Sequence, residues 1–99
     1  MCVPDNVVTN DDLARIMETS DDWIASRTGV RQRRFADPGV GASDLGAEAA
    51  MLAIADAGVA PSDVDILVTA TMTPDHMAPG IAALVQAKAG LGHIAAFDL

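Results

Sequence analysis

A chain of 99 residues with a net charge of −8 and a pI near 4.2 is a poor match for a nucleic-acid surface, because phosphate binding needs a basic face that releases counterions. Hydrophobic residues make up 51% but aromatics only 3%, so the expected interior is Ala, Val, Ile, Leu and Met on helices pressed against a sheet, within one small domain of marginal core. The single Cys rules out an internal disulfide framework and makes a reducing cytoplasm the default location. No basic segment leads into an apolar run at the amino terminus, and residues 77–97 are broken by Pro79, Gly80, Lys88, Gly90 and Gly92. Neither a signal peptide nor a membrane span is therefore expected.

In chain order, Pro4, Asp5 and Asn6 read as a turn ahead of any full strand. Thr9 with Asp12 resembles a capping box, and the spacing of Leu13, Ile16 and Met17 predicts a short helix over residues 10–18. Thr19 or Ser20 caps a second helix whose first turn carries Asp21 and Asp22 and which ends near Gly29. Residues 30–36 read as extended, with Arg31 and Arg33 on one side and Gln32 and Arg34 on the other, before Asp37, Pro38 and Gly39 turn the chain. Ser43 is expected to cap a helix running to Ala57, with Gly58 as the left-handed residue beyond it. Its polar residues Asp44, Glu48 and Asp56 occupy a narrow sector, which predicts burial on more than one side. The run Ile66-Leu67-Val68 within a strand over 65–71 suits a sheet covered on both faces. A loop over 72–78, a helix over 79–89 and a strand over 93–99 complete a βαβ unit.

Residues 19–34 hold the only Trp and four of the six basic side chains. Trp23 and Arg27, four apart on the second helix, share a face, and an indole beside a guanidinium makes a flat platform with a positive rim. Two readings of that pair stand side by side: a Trp plugging the edge of a core beside a solvated Arg, or a platform on which a base stacks while its phosphates meet the rim. The gathering of Arg27, Arg31, Arg33 and Arg34 adds to the second reading, since a bound anion would relieve their repulsion, while a solvated basic face balanced by fourteen acids is the ordinary alternative. The Asp11-Asp12 and Asp21-Asp22 pairs are explained by helix dipoles and predict no metal site, and His76 and His93 have no partners at ligand spacing. His76 follows a strand, where ligands collect in α/β sheets, but a structural role in its loop is expected. Cys2 has no base or helix start nearby and is not expected to act as a nucleophile. The pairs Gly39-Val-Gly41 and Gly90-Leu-Gly92 lack the strand-to-helix context of a phosphate loop.

The order of these pieces resembles the β-ketoacyl-acyl-carrier-protein synthase III family. The resemblance rests on T-N-D-D-L at residues 9–13, T-S-D-D-W-I-x-x-R-T-G-V-R-x-R at 19–33, D-L-G-A-E-A-A at 44–50, D-I-L-V-T-A-T at 65–71 and A-F-D-L at 96–99. The second stretch is the specific one, since its Trp, Arg and Thr-Gly fall at the family's spacing. The resemblance implies an α/β, partial thiolase-like fold, with residues 1–99 an incomplete part of the N-terminal αβαβα half: a mixed sheet with buried Ala-rich helices. It implies an acyltransferase that condenses an acyl-CoA starter with malonyl-acyl carrier protein in fatty-acid or polyketide synthesis. Such an enzyme is a cytoplasmic homodimer using acyl-CoA as substrate, with no other cofactor, no metal, no nucleic acid and no membrane.

By resemblance Thr19, Trp23 and Arg27 form part of the coenzyme A site, Trp23 stacking on the adenine and Arg27 holding the nucleotide end. The loop before Pro79 is similar to one that reaches toward the partner subunit's acyl pocket. Ala78 stands there where some members have a bulky Phe, which implies a starter longer or more branched than acetyl. The family's first strand is expected before Cys2, its nucleophilic Cys shortly after Leu99, and its His and Asn in a C-terminal half. No catalytic residue is thus expected among residues 1–99, and this segment alone is expected to be inactive. Two alternatives remain open: a non-catalytic coenzyme A-binding or dimerisation module, and a related CoA-dependent condensing enzyme such as a hydroxymethylglutaryl-CoA synthase.

Overall fold

The computed structural model describes all residues from Met1 to Leu99. They pack as two compact units, Val3–Pro38 and Gly39–Leu99, the second of which also takes in Met1–Cys2.

The Val3–Pro38 unit contains strand β1 (Asn6–Thr9), helix α1 (Asn10–Ala14), helix α2 (Asp21–Thr28) and strand β2 (Gln32–Phe35). β1 and β2 pair antiparallel, with Val7 opposite Arg34 and Val8 opposite Arg33. The chain bends at Asp5, within the turn expected at Pro4, Asp5 and Asn6, but Asn6 already belongs to the strand, because β2, lying more than twenty residues downstream, supplies its ladder. The expected capping box forms: Asp12 Oδ2 accepts from the Thr9 backbone N–H at 2.9 Å, and Thr9 Oγ1 accepts from the Asp12 N–H at 3.2 Å. α1 is shorter than expected and ends at Ala14, where Arg15 turns back to an ion pair with Asp12 at 2.9 Å. Ile16 and Met17 remain 74% and 54% exposed, so no packing rewards another helical turn there.

The Gly39–Leu99 unit contains helix α3 (Ala42–Ala57), a 3-10 turn at Pro61–Asp63, strand β3 (Ile66–Thr69), helix α4 (Ile81–Lys88) and strand β4 (Ala95–Asp98). β3 and β4 pair in parallel, with Leu67 opposite Ala96 and Val68 opposite Phe97, and α4 is the crossover between them. The βαβ reading therefore holds. The strands of the molecule form two separate pairs, one antiparallel and one parallel, in place of one mixed sheet.

The core of this unit is Ala47 from α3, Ile81, Val85 and Ala89 from α4 and its end, and Leu91, with Ile54, Val64, Leu67 and Ile94 packed on its margin. Gly46 permits the close approach of the two helices, since a Cβ there would lie 3.0 Å from a Val85 methyl. Gly58 takes the left-handed conformation at φ 67° and closes α3 as expected. The start of α3 differs: Gly41 is the N-cap, Asp44 Oδ2 accepts its N–H at 2.9 Å, and Ser43 lies inside the first turn. Burial also differs. α3 buries one stripe only, leaving Met51 and Leu52 nearly half exposed, and β3 alternates, with Ile66 58% and Val68 47% exposed on its second face. One helix layer covers one face of a two-stranded sheet, so the continuous apolar run does not find a second layer within this unit. No helix is long and apolar enough to cross a membrane.

Candidate coenzyme A platform

α2 begins where Ser20 Oγ accepts the backbone N–H of Trp23 at 3.1 Å, which decides between the two capping residues proposed for it. It ends at Gly29, in the left-handed region at φ 72°, whose N–H reaches the Ala25 carbonyl at 2.9 Å. Thr28 donates to the Ile24 carbonyl and accepts from the Val30 N–H, at 2.8 and 3.1 Å, easing the chain out of the helix toward β2. The Trp23 indole is 55% exposed. The Arg27 guanidinium carbon stands 4.7 Å from the centre of its ring, a cation–π contact at the expected i, i+4 spacing. Glu18, Thr19, Ser20 and Trp23 line an open depression of about 430 Å³. Thr19, Trp23 and Arg27 are therefore brought together, and the Trp is not a plug in a core.

The other arginines of this stretch have different work. Arg33 donates to the Val8 carbonyl at 3.3 Å and to Asn10 Oδ1 at 2.6 Å. Arg34 donates to the carbonyls of Pro4 and Asp5 at 3.0 and 3.1 Å, and Arg31 reaches Asp21 at 3.5 Å. The cluster expected to repel itself until an anion binds is thus largely absorbed by the β1–β2 pair and by α2. Arg27 alone among these four has no carbonyl or carboxylate acceptor, which leaves all its N–H groups available to a ligand.

A residue that the sequence did not single out holds the platform in place. Asn10, only 1% exposed, donates through Nδ2 to Asp21 Oδ1 at 2.7 Å and to the Val30 carbonyl at 2.9 Å, while its Oδ1 accepts from Arg33. One buried amide therefore grips α2 at its first residue and again just past its last. The capping signal of Thr9 and Asp12 marked Asn10 as the start of a helix, and nothing local marked it as a hub.

Ala78 belongs to the other unit, in the exposed loop between β3 and α4, joined to Pro79 by a cis peptide bond. In that loop Pro74, His76 and Met77 line a small depression of about 120 Å³ together with Thr71, Gly80, Ile81 and Asp98. Asp75 accepts from the Ser43 hydroxyl and, at 3.1 Å, from the Ser43 N–H. These bonds, aided by the charge of Lys88, hold its carboxyl below the ordinary carboxylate range. The hydrogen bond from Lys88, aided by the Gly41 N–H, does the same for Asp44.

The chain matches no family model. It is 52% identical over all its residues to the β-ketoacyl-acyl-carrier-protein synthase III of Symbiobacterium thermophilum, of whose length that match covers 30%. Among solved structures, the 3-oxoacyl-acyl-carrier-protein synthase III of Aquifex aeolicus superposes with a TM-score of 0.88 at 39% identity, over 99% of this chain and 32% of that one. The enzyme of the same name from Pseudomonas aeruginosa gives a TM-score of 0.82 at 42% identity, over 98% of this chain and 30% of that one. The chain matches the amino-terminal part of β-ketoacyl-acyl-carrier-protein synthase III. Its two small sheets and covering helices are accordingly part of a thiolase-like α/β fold. The segment spans about 30% of the length of the curated synthase III relatives it matches.

Proposed function

We propose that this chain supplies the nucleotide end of the coenzyme A site in a synthase III condensing enzyme, an acyltransferase that joins an acyl-CoA starter to malonyl-acyl carrier protein. The carrying observation is the half-exposed Trp23 with the Arg27 guanidinium 4.7 Å from its ring centre, beside the depression that Thr19 helps to line. Adenine, a flat and weakly polar ring, gains by stacking on indole. A phosphate gains from the N–H groups of Arg27 that no protein acceptor occupies. The complete enzyme would work as a cytoplasmic homodimer, with the thioester as substrate and no cofactor of its own. Acyl transfer from the coenzyme A sulfur to a Cys thiolate, then attack by the carbanion left when the malonyl group loses carbon dioxide, would use residues other than those assigned here. None of residues 1–99 is given the chemical step.

Coenzyme A is expected to quench Trp23 fluorescence, and Arg27→Ala to weaken that binding at least tenfold, the usual cost of a hydrogen bond to a charged group. Arg34→Ala, whose guanidinium serves the Pro4 and Asp5 carbonyls, should leave the binding curve of the folded protein unchanged. An absence of quenching in folded protein would remove the platform reading. Because Thr19, Trp23 and Arg27 all lie within the Val3–Pro38 unit, binding without turnover is the second reading. Condensation of labelled malonyl-carrier protein by the full-length protein distinguishes the two.

The small Ala78 points to a starter larger than acetyl. A branched five-carbon acyl-CoA should be turned over with a higher kcat/KM than acetyl-CoA. A strong acetyl preference would overturn this part of the reading while leaving the platform intact.

A further inference from the structure

We propose that Asp75 is a positioning residue: through Ser43 and Lys88 it fixes the loop that carries Ala78, and so sets which starter the enzyme prefers. What the loop does rests on the acyl-pocket reading above; how it is held does not.

Ser43 has no exposed surface, and its hydroxyl donates to Asp75 while accepting from Lys88 Nζ at 2.6 Å. Asp75 also takes the Ser43 N–H, so one carboxylate accepts both donors of a single buried residue in the first turn of α3. Lys88, the last residue of α4, continues to Asp44 at 2.5 Å. Asp75 is thereby bolted from the middle of the loop to the start of α3 and the end of α4. Charge-assisted bonds of this kind are short and directional, and partial burial strengthens them. Gly41 makes room for the approach, since a Cβ there would lie 2.7 Å from Asp75 Oδ1.

The carboxyl-terminal side of the loop has its own anchor. Asp98 accepts from the Thr69 hydroxyl at the end of β3 and, at 3.0 Å, from the Ala82 N–H in the first turn of α4. Between Asp75 and the Ala82 N–H none of residues 76–81 makes a side-chain hydrogen bond to the body of the unit, and while Ile81 is buried Met77 is 95% exposed. Ala78 lies three residues beyond Asp75, within about 11 Å of chain even when extended. The two carboxylates thus bracket the stretch that carries Ala78.

The test compares wild type with Asp75→Asn and Lys88→Met. In the chain itself, amide hydrogen exchange across residues 71–78 should accelerate about tenfold in Asp75→Asn, the cost expected for charge-assisted bonds, while the core amides of Ala47 and Val85 keep their protection. Lys88→Met retains the aliphatic stem and should give the same local pattern more weakly, which guards against a misfolded first variant. In the full-length enzyme, the ratio of kcat/KM for branched five-carbon acyl-CoA to that for acetyl-CoA should shift several-fold in Asp75→Asn. A merely structural role would lower both values together. Unchanged exchange in the loop overturns the anchoring, and faster exchange with an unmoved ratio overturns the effect on specificity. Wild-type enzyme that turns over neither thioester overturns the functional reading and the specificity claim with it, while exchange still decides the anchoring.

Discussion

Asn10→Ala should destabilise the Val3–Pro38 unit by about 3 kcal/mol, because a buried hydrogen-bonding hub would be emptied rather than weakened. The amide of Asn10 joins Asp21, the Val30 carbonyl and Arg33, and the side chain is 1% exposed. Alanine would leave a guanidinium N–H and a carbonyl facing a space too poor in partners to replace the bonds. Asp21 is 40% exposed at its side chain, so water offsets part of its loss and the sum stays well below three full charged bonds. Urea unfolding followed by Trp23 fluorescence measures the effect where it should be felt, since α2 would lose its grip at both ends.

Asn10→Asp provides the sharper control. It keeps the shape and the acceptor for Arg33 but removes both donors and sets a second carboxylate about where Nδ2 now sits, 2.7 Å from that of Asp21. At neutral pH it should be destabilising despite its near-identical size. A wild-type unfolding midpoint for Asn10→Asp would show that the hub account is wrong. On the proposed coenzyme A reading, binding should follow stability here: a loosened α2 presents Trp23 and Arg27 in many orientations, and the ligand must then supply the cost of ordering them.

Gly80→Ala should lower the stability of the Gly39–Leu99 unit by about 2 kcal/mol, combining overpacking with a damaged helix cap. The backbone of Gly80, at φ −60° and ψ 158°, suits any residue, so conformational strain is not the reason. The reason is space: a Cβ at this position would stand 1.8 Å from Asp98 Oδ2 and 3.0 Å from its Cγ. Asp98 would have to swing away, releasing the Ala82 N–H and the Thr69 hydroxyl that it now holds. For a chain of this length such a loss corresponds to a fall in Tm of roughly 10 °C. The clash is with one side chain, so Asp98→Ala should make Gly80→Ala nearly harmless, a strong departure from additivity. Additive effects in the double variant would place the damage somewhere other than this contact.

Features decided within a turn of helix were legible in the amino-acid sequence. The Thr9–Asp12 capping box, the end of α2 at Gly29, the left-handed Gly58 that closes α3, and the Trp23–Arg27 pair all depend on residues at most a few positions apart. Backbone geometry fixes such distances once a helix is assumed. The specific spacing of Trp, Arg and Thr-Gly also made the synthase III resemblance readable before any coordinates, and the thiolase-like fold followed from it.

Only the tertiary structure decided where strands pair, which charges are already used and what holds the site. No strand was legible at Asn6–Thr9, whose first residue read as part of a turn, because its partner lies more than twenty residues away. Arg33 and Arg34 read as ligand-seeking cations because the carbonyls they satisfy come from 25 to 30 residues earlier. Asn10 joins residues 11 to 23 positions away, and Ser43 joins Asp75 and Lys88 across 32 and 45 positions. No periodicity encodes such contacts, since chain folding brings the partners together only after each local element has formed. By itself the sequence determined the composition of the platform, Trp23 with Arg27 on one short helix. The tertiary structure decided that Arg27 is the arginine left unsatisfied and that Asn10 holds the helix, because burial and hydrogen-bond satisfaction are properties of the packed chain.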